Sequence, residues 1–206
     1  HNNCAGKHLG MLSSCLANNF PIKNYVNFEH PHQINIRNVF SKFTEKKISK
    51  RNYGIDGCSA PQYAFTIKEL QNALSNLLNS YNKKFEYSAN TKIIIESILS
   101  NPYFIGGSNN LDSNLIKISN KKIFCKGGAE GVFLFIHLKK GIFGILKVKD
   151  GNERVLPSSV YTLFKQFKIL NSLIGINFLL ALTYQKYLSL TVRAHYAFDS
   201  HTLQSF

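Results

Sequence analysis

The stretch "GVFLFIHLKKGIFGILKVK" at 131–149 constrains the fold more than any other part of the chain. It holds two short apolar runs rich in aromatic and β-branched residues, separated by Lys139, Lys140 and Gly141. Runs this short, with this composition and a Gly-bearing break, read as two antiparallel strands joined in a hairpin. Asp150-Gly151-Asn152 ends the second run. The pattern before about residue 122 is helical, and a helical pattern returns from Pro157. Helices, then antiparallel strands, then a helix is the order of an α+β fold, not of alternating βαβ units.

The helical part divides at clear punctuation. Residues 7–18 read as a helix with Leu9, Leu12, Cys15 and Leu16 on one face, stopped by Asn18-Asn19 before Pro21. "HPHQINIRNVFSKF" reads as a second helix, with Pro31 in its first turn and a stripe of Ile36, Val39, Phe40 and Phe43. "TEKKISKRNYG" is polar and basic, and "GIDGCSAP" is a structured turn. Thr66 and Glu69 form a capping box that opens a helix burying Ile67, Leu70, Leu74, Leu77, Leu78 and Tyr81. Another helix is expected from about Ala89 to Leu99, ending before Asn101-Pro102. The helix after Pro157 should be long, with Val160, Leu163, Phe164, Phe167, Leu170 and Ile174 on one face. The expected division is 1–120, mainly helical, and 121–206, hairpin plus terminal helix, within one domain.

Composition narrows the partners. The formal charge is +14 although charged residues make up only 17% of the chain. Such a balance can mark a nucleic-acid binder. Here the basic residues are mostly scattered Lys mixed with Asn and Ile, without an Arg stripe or a zinc-finger spacing, so no nucleic-acid partner is expected. No stretch reaches the roughly 18 apolar residues of a membrane span. "ILNSLIGINFLLAL" is broken by Asn171 and Asn177 and reads as a buried helix, so no membrane partner is expected. The four cysteines are Cys4, Cys15, Cys58 and Cys125. The even count permits disulfides, but no signal peptide or Asn-X-Ser/Thr site occurs, and reduced thiols in a cytoplasmic protein are expected.

"CAGKH" and "GIDGCSAP" hold the candidate chemistry. Two thiolates from separate turns and a nitrogen ligand could hold a zinc ion with one open position. Spacing alone leaves buried, inert cysteines as the competing reading, because neither Cys belongs to a CxxC pair. Cys15 and Cys125 read as core. His30 and His32, which flank Pro31, read as structural or solvated.

A series of motifs then carries a resemblance. "HNNCAGKHLGML" resembles the Asn-Cys-Ser-Gly-Lys-His-Ala-Gly-Met/Phe-Leu signature of the zinc-containing L-asparaginases of rhizobial type, the asparaginase II family. "EHPHQ", "GIDGCSAPQYAF", "NPYFIGGSNNLDSNLI", "CKGGAEGVF" and "LKVKDGNER" resemble further family elements in the same order. The resemblance implies a serine β-lactamase/glutaminase-like fold, with a helical subdomain against an antiparallel sheet. It implies hydrolysis of L-asparagine to aspartate and ammonia. It implies Cys4, Lys7 and Cys58 as ligands of a Zn2+ ion, and Asp56 as the partner that orients them. Asp56 and Lys126 are the catalytic candidates, Lys126 facing the reacting centre, and His8 is the substrate contact. A homodimer is the expected assembly.

In the implied fold a serine attacks the amide, activated by a lysine three residues on. The family's pair lies upstream of the Cys-x-Gly-Lys-His motif, so this chain is expected to be a C-terminal portion lacking the nucleophile. "SYNK" (Ser80 to Lys83) and "SNKK" (Ser119 to Lys122) match the bare spacing but read as chance. Ala5 replaces the family's Ser, Ser59 its Gly, and Asn110 stands where Arg is common. These departures leave a second reading open, an inactive copy acting as a zinc-binding or interaction module.

Overall fold

A computed structural model of the chain describes residues 3–170. Those residues fall into two compact units that divide between Ala73 and Leu74. The change of pattern near residue 122 is therefore internal to the second unit.

The first unit contains α1 (Asn3–Ala17), α2 (Pro31–Thr44), a short hairpin of β1 (Tyr53–Ile55) and β2 (Pro61–Tyr63), and the start of α3 (Ile67–Tyr81). Pro31 occupies the first turn of α2, where its missing N–H costs nothing. The capping box at α3 is present in both directions. Glu69 N–H donates to Thr66 Oγ1 at 3.2 Å, and Thr66 N–H donates to Glu69 Oε2 at 2.6 Å.

Two expected faces are corrected. In α1 the buried residues are Met11 and Cys15, while Leu9 and Leu16 are exposed. In α2 the buried face is polar: His32, Gln33, Arg37 and Thr44, with Val39 and Phe40 exposed. These polar groups can be buried because they are partnered. Gln33 Nε2 donates to the Tyr25 carbonyl at 3.0 Å. Arg37 donates to the Phe28 carbonyl and stacks its guanidinium 3.7 Å from the Phe28 ring centre. His30 is structural: it caps α2 through the His32 N–H and reaches the Pro21 carbonyl with Nε2.

The second unit holds the rest of α3, then α4 (Ser88–Ser100), α5 (Tyr103–Gly106) and α6 (Leu111–Ile118). A three-stranded antiparallel sheet follows, with β3 (Ile123–Gly128), β4 (Val132–His137) and β5 (Ile142–Lys147) in that order, and then α7 (Leu156–Gln166). The expected hairpin is the β4–β5 pair, with Phe135 opposite Gly144. "GGAEG" is the turn between β3 and β4, where Glu130 and Gly131 adopt left-handed backbone (φ 63° and 64°).

Phe135, Ile136 and His137 are consecutive and all buried. Successive strand residues face opposite sides, so both faces of the sheet are covered here. Phe135 meets Phe164 of α7 edge to face at 4.8 Å. Gly144 makes room for Phe135, since a Cβ there would lie 2.6 Å from its ring.

Four helices, α1, α3, α6 and α7, end by one device. Phe20 N–H reaches the Cys15 carbonyl, Lys84 N–H that of Asn79, Lys121 N–H that of Ile116, and Ile169 N–H that of Phe164. Each bond spans a left-handed residue: Asn19, Lys83, Asn120 and Lys168 respectively. This is the Schellman closure, made here with Asn and Lys instead of Gly. It ends α7 at Gln166, well before the expected length, and Ile174 lies outside the described residues. Among those residues the architecture is mixed α+β, with seven α-helices and two small antiparallel sheets, and no helix is long and apolar enough to cross a membrane.

Candidate functional site

The first unit brings the start of α1 to the β1–β2 turn. Cys4 and Lys7 are three residues apart on α1 and so share a face. Cys58 lies in the tight turn 56–60, which Asp56 closes with its own side chain. Asp56 Oδ1 accepts from Cys58 N–H at 2.8 Å and from Ala60 N–H at 2.9 Å. Oδ2 accepts from Lys7 Nζ at 2.5 Å and from Gln62 Nε2 at 2.9 Å. The Lys7 hydrogen bond, followed by that of Ala60, holds the Asp56 carboxyl well below the usual carboxylate range.

Cys4 and Cys58 are joined as a disulfide, with their Cα atoms 6.0 Å apart. That separation is within the range a disulfide spans without backbone movement. The expectation of four reduced thiols is therefore corrected for this pair. Cys15 and Cys125 are free and buried. Two sulfurs and an amine are a donor set suited to zinc, but in the structure the sulfurs are covalently joined and the amine is engaged by Asp56. Among the described residues no group of three or more His, Cys, Asp or Glu is placed to hold a metal.

His8 lies against the same turn. Its Nε2 is 2.9 Å from the Cys58 carbonyl, which can only accept, so Nε2 carries the proton. In the neutral ring Nδ1 then accepts from the Tyr25 hydroxyl at 2.6 Å. Both nitrogens of the expected substrate contact are engaged within the chain. Tyr25 was not singled out from sequence, because nothing in "KNYVNF" marks it as chemical.

Lys126 belongs to the second unit, on β3. Its ammonium donates to Asp112 Oδ2 at 3.3 Å and to the Gly127 carbonyl. Asp112 was likewise missed, although "NLDSN" carries a cap-like Asn two residues before a carboxylate. Asn110 is indeed the N-cap of α6, accepting from Asp112 N–H at 3.0 Å. Cys125, next to Lys126, has its thiol pushed up by burial and then by the Asp112 charge, so it stays a neutral core group.

The two Ser-x-x-Lys matches are structural. Ser80 is fully buried, donating to the Glu86 carbonyl and sharing a 2.8 Å hydrogen bond with Thr91. Ser119 donates to the Ile116 carbonyl and accepts from Ile123 N–H. Neither hydroxyl is available to attack a substrate.

Together these features define the class: a mixed α+β protein whose candidate chemistry is carried by side chains that a helix start and a hairpin turn bring together. The particular family follows from the sequence as a whole. The profile described as L-asparaginase II matches residues 1–187, and the chain belongs to this family of asparaginase hydrolases. A comparison with curated proteins gives no match.

Proposed function

We propose that the chain belongs to an L-asparagine amidohydrolase, releasing aspartate and ammonia. Family membership across residues 1–187 carries the reading. It is supported by the meeting of the motif residues Cys4, Lys7, His8, Asp56 and Cys58 in one place, since motifs 49 or more residues apart converge only in the folded chain. The sheet followed by α7 suits the serine β-lactamase-like fold that this chemistry uses.

Ser80 and Ser119 are committed to partners within the fold, so the attacking hydroxyl is a different one. Once reduced, Cys4 and Cys58 would hold a Zn2+ ion together with Lys7. The ion would supply a positive charge that polarises bound oxygen. Asp56 orients the Lys7 amine and fixes the turn that presents Cys58.

Ammonia release from L-asparagine tests the activity. Hydrolysis is the expected result, and no release from the folded, zinc-loaded protein overturns the asparaginase reading. Zinc content of the reduced protein by mass spectrometry tests the metal, with Cys4→Ala and Cys58→Ala expected to abolish binding. A protein that binds zinc but does not hydrolyse L-asparagine would favour the module reading. Ser59 lends that reading some weight, because it holds φ 64° where the family's Gly would be unstrained.

A further inference from the structure

Among the described residues Arg37, Lys126, Lys140 and Lys147 each donate from a basic side chain to main-chain carbonyls, and Lys126 also has a buried carboxylate as its partner. We propose that Asp112 is a positioning residue that fixes the Lys126 ammonium for its work on the substrate.

Asp112 is 3% exposed. A carboxylate this buried needs charge and hydrogen-bond partners to offset its lost hydration. Its Oδ2 accepts from Gly127 N–H at 2.8 Å and from Lys126 Nζ at 3.3 Å. It sits in the first turn of α6, where the helix dipole favours a negative charge. Gly127 permits the approach, since a Cβ there would lie 3.2 Å from Asp112 Oδ1.

The geometry acts on Lys126 through this carboxylate. An ammonium has three donors, and here Asp112 and the Gly127 carbonyl take two, leaving one for a substrate oxygen. The side chain is 41% exposed, so without the carboxylate its flexible stem would sample many rotamers. A purely mechanical tie between α6 and β3 would need only an acceptor for Gly127 N–H, and an amide oxygen would serve. Among the hydrogen-bond partners of Asp112, the negative charge matters most to Lys126.

Asp112→Asn separates the two roles, because it keeps the acceptor and removes the charge. The role of Lys126 itself rests on the asparaginase reading, but the first measurement does not. Each lysine's rate of acylation is read by peptide mass spectrometry in the full chain. Acylation requires Nζ to leave its partners and turn to the reagent, so loosening the tether in Asp112→Asn should speed acylation of Lys126 about threefold, leaving Lys117 and Lys149 unchanged. An unchanged Lys126 rate overturns the proposal. If the variant unfolds, seen as uniform acceleration, the wild-type chain decides. Lys147 also donates to two main-chain carbonyls, those of Glu130 and Val148, with no carboxylate bonded to it among the described residues. Lys126 should react more slowly than Lys147, and an equal or faster rate overturns the proposal.

In the active enzyme, Asp112→Asn should lower kcat about tenfold or more with little change in KM. Unchanged kcat there also overturns the proposal. Absence of hydrolysis by the wild-type enzyme instead removes the asparaginase reading, while the labelling result still decides the tether.

Discussion

Asp56→Asn and Asp56→Ala, compared in the oxidised protein, measure how much the carboxylate holds the Cys58 turn to α1. Asparagine keeps an oxygen for the Cys58 and Ala60 N–H groups but replaces the oxygen that serves Lys7 and Gln62. The Lys7 side chain is 35% exposed and that of Asp56 20%, so solvent screening limits the ion pair to about 1 kcal/mol. Adding the Gln62 bond, Asp56→Asn should cost about 1–2 kcal/mol. Alanine also strips two backbone donors, for a total of about 3 kcal/mol. The pH dependence has a definite sign. The folded carboxyl titrates below its unfolded value, so the stabilisation is complete above the unfolded value near 4 and fades as pH falls toward the folded one. Urea midpoints followed from about pH 7 to about pH 2.5 check this. The gap between wild type and Asp56→Asn should be widest above about pH 5 and shrink below about pH 3. A gap that stays constant across that range, or an Asn variant as unstable as the Ala variant at neutral pH, would refute the reasoning.

Two further outcomes are expected. Gly144→Ala forces a Cβ to within 2.6 Å of the Phe135 ring, itself held by Phe164, and should cost about 1–3 kcal/mol by chemical denaturation. Ser59→Gly relieves a left-handed residue at φ 64° and should raise stability by about 0.5–1 kcal/mol, read as an upward shift in Tm.

Sequence patterning found what local chemistry dictates. The capping box at Thr66 and Glu69, Pro31 in the first turn of α2 and the β4–β5 hairpin all depend on residues a few positions apart. It failed where burial is decided by distant chain. The apolar stripe of α2 implied an oily buried face, but Gln33 and Arg37 are buried there because the Tyr25 and Phe28 carbonyls accept from them. The β1–β2 hairpin escaped notice because its strands are only three residues each. The site was legible as a set of motifs, since the Cys4, Lys7 and Cys58 segments each carry a recognisable pattern. Tyr25 and Asp112 were not, because each acts through one contact with a residue 14 or more positions away.

The two lysines that the motifs single out share a physical logic that the net charge hides. Lys7 and Lys126 each donate to an aspartate, and each aspartate is itself pinned by backbone N–H groups. Lys46 with Glu69, which also accepts from Thr66 N–H, is built the same way, whereas Lys50 with Glu29 and Lys92 with Glu96 join side chains more than half exposed on both sides. Pairs of that kind hold their charges loosely and contribute little. A pinned carboxylate fixes one end of the pair before the lysine arrives, so the ammonium loses less freedom for each bond it makes. What matters for chemistry here is therefore not the surplus of Lys over Asp and Glu but which few carboxylates the backbone holds still. On this argument, neutralising Asp56 or Asp112 changes the site far more than neutralising any exposed acid, although each change alters the total charge by the same one unit.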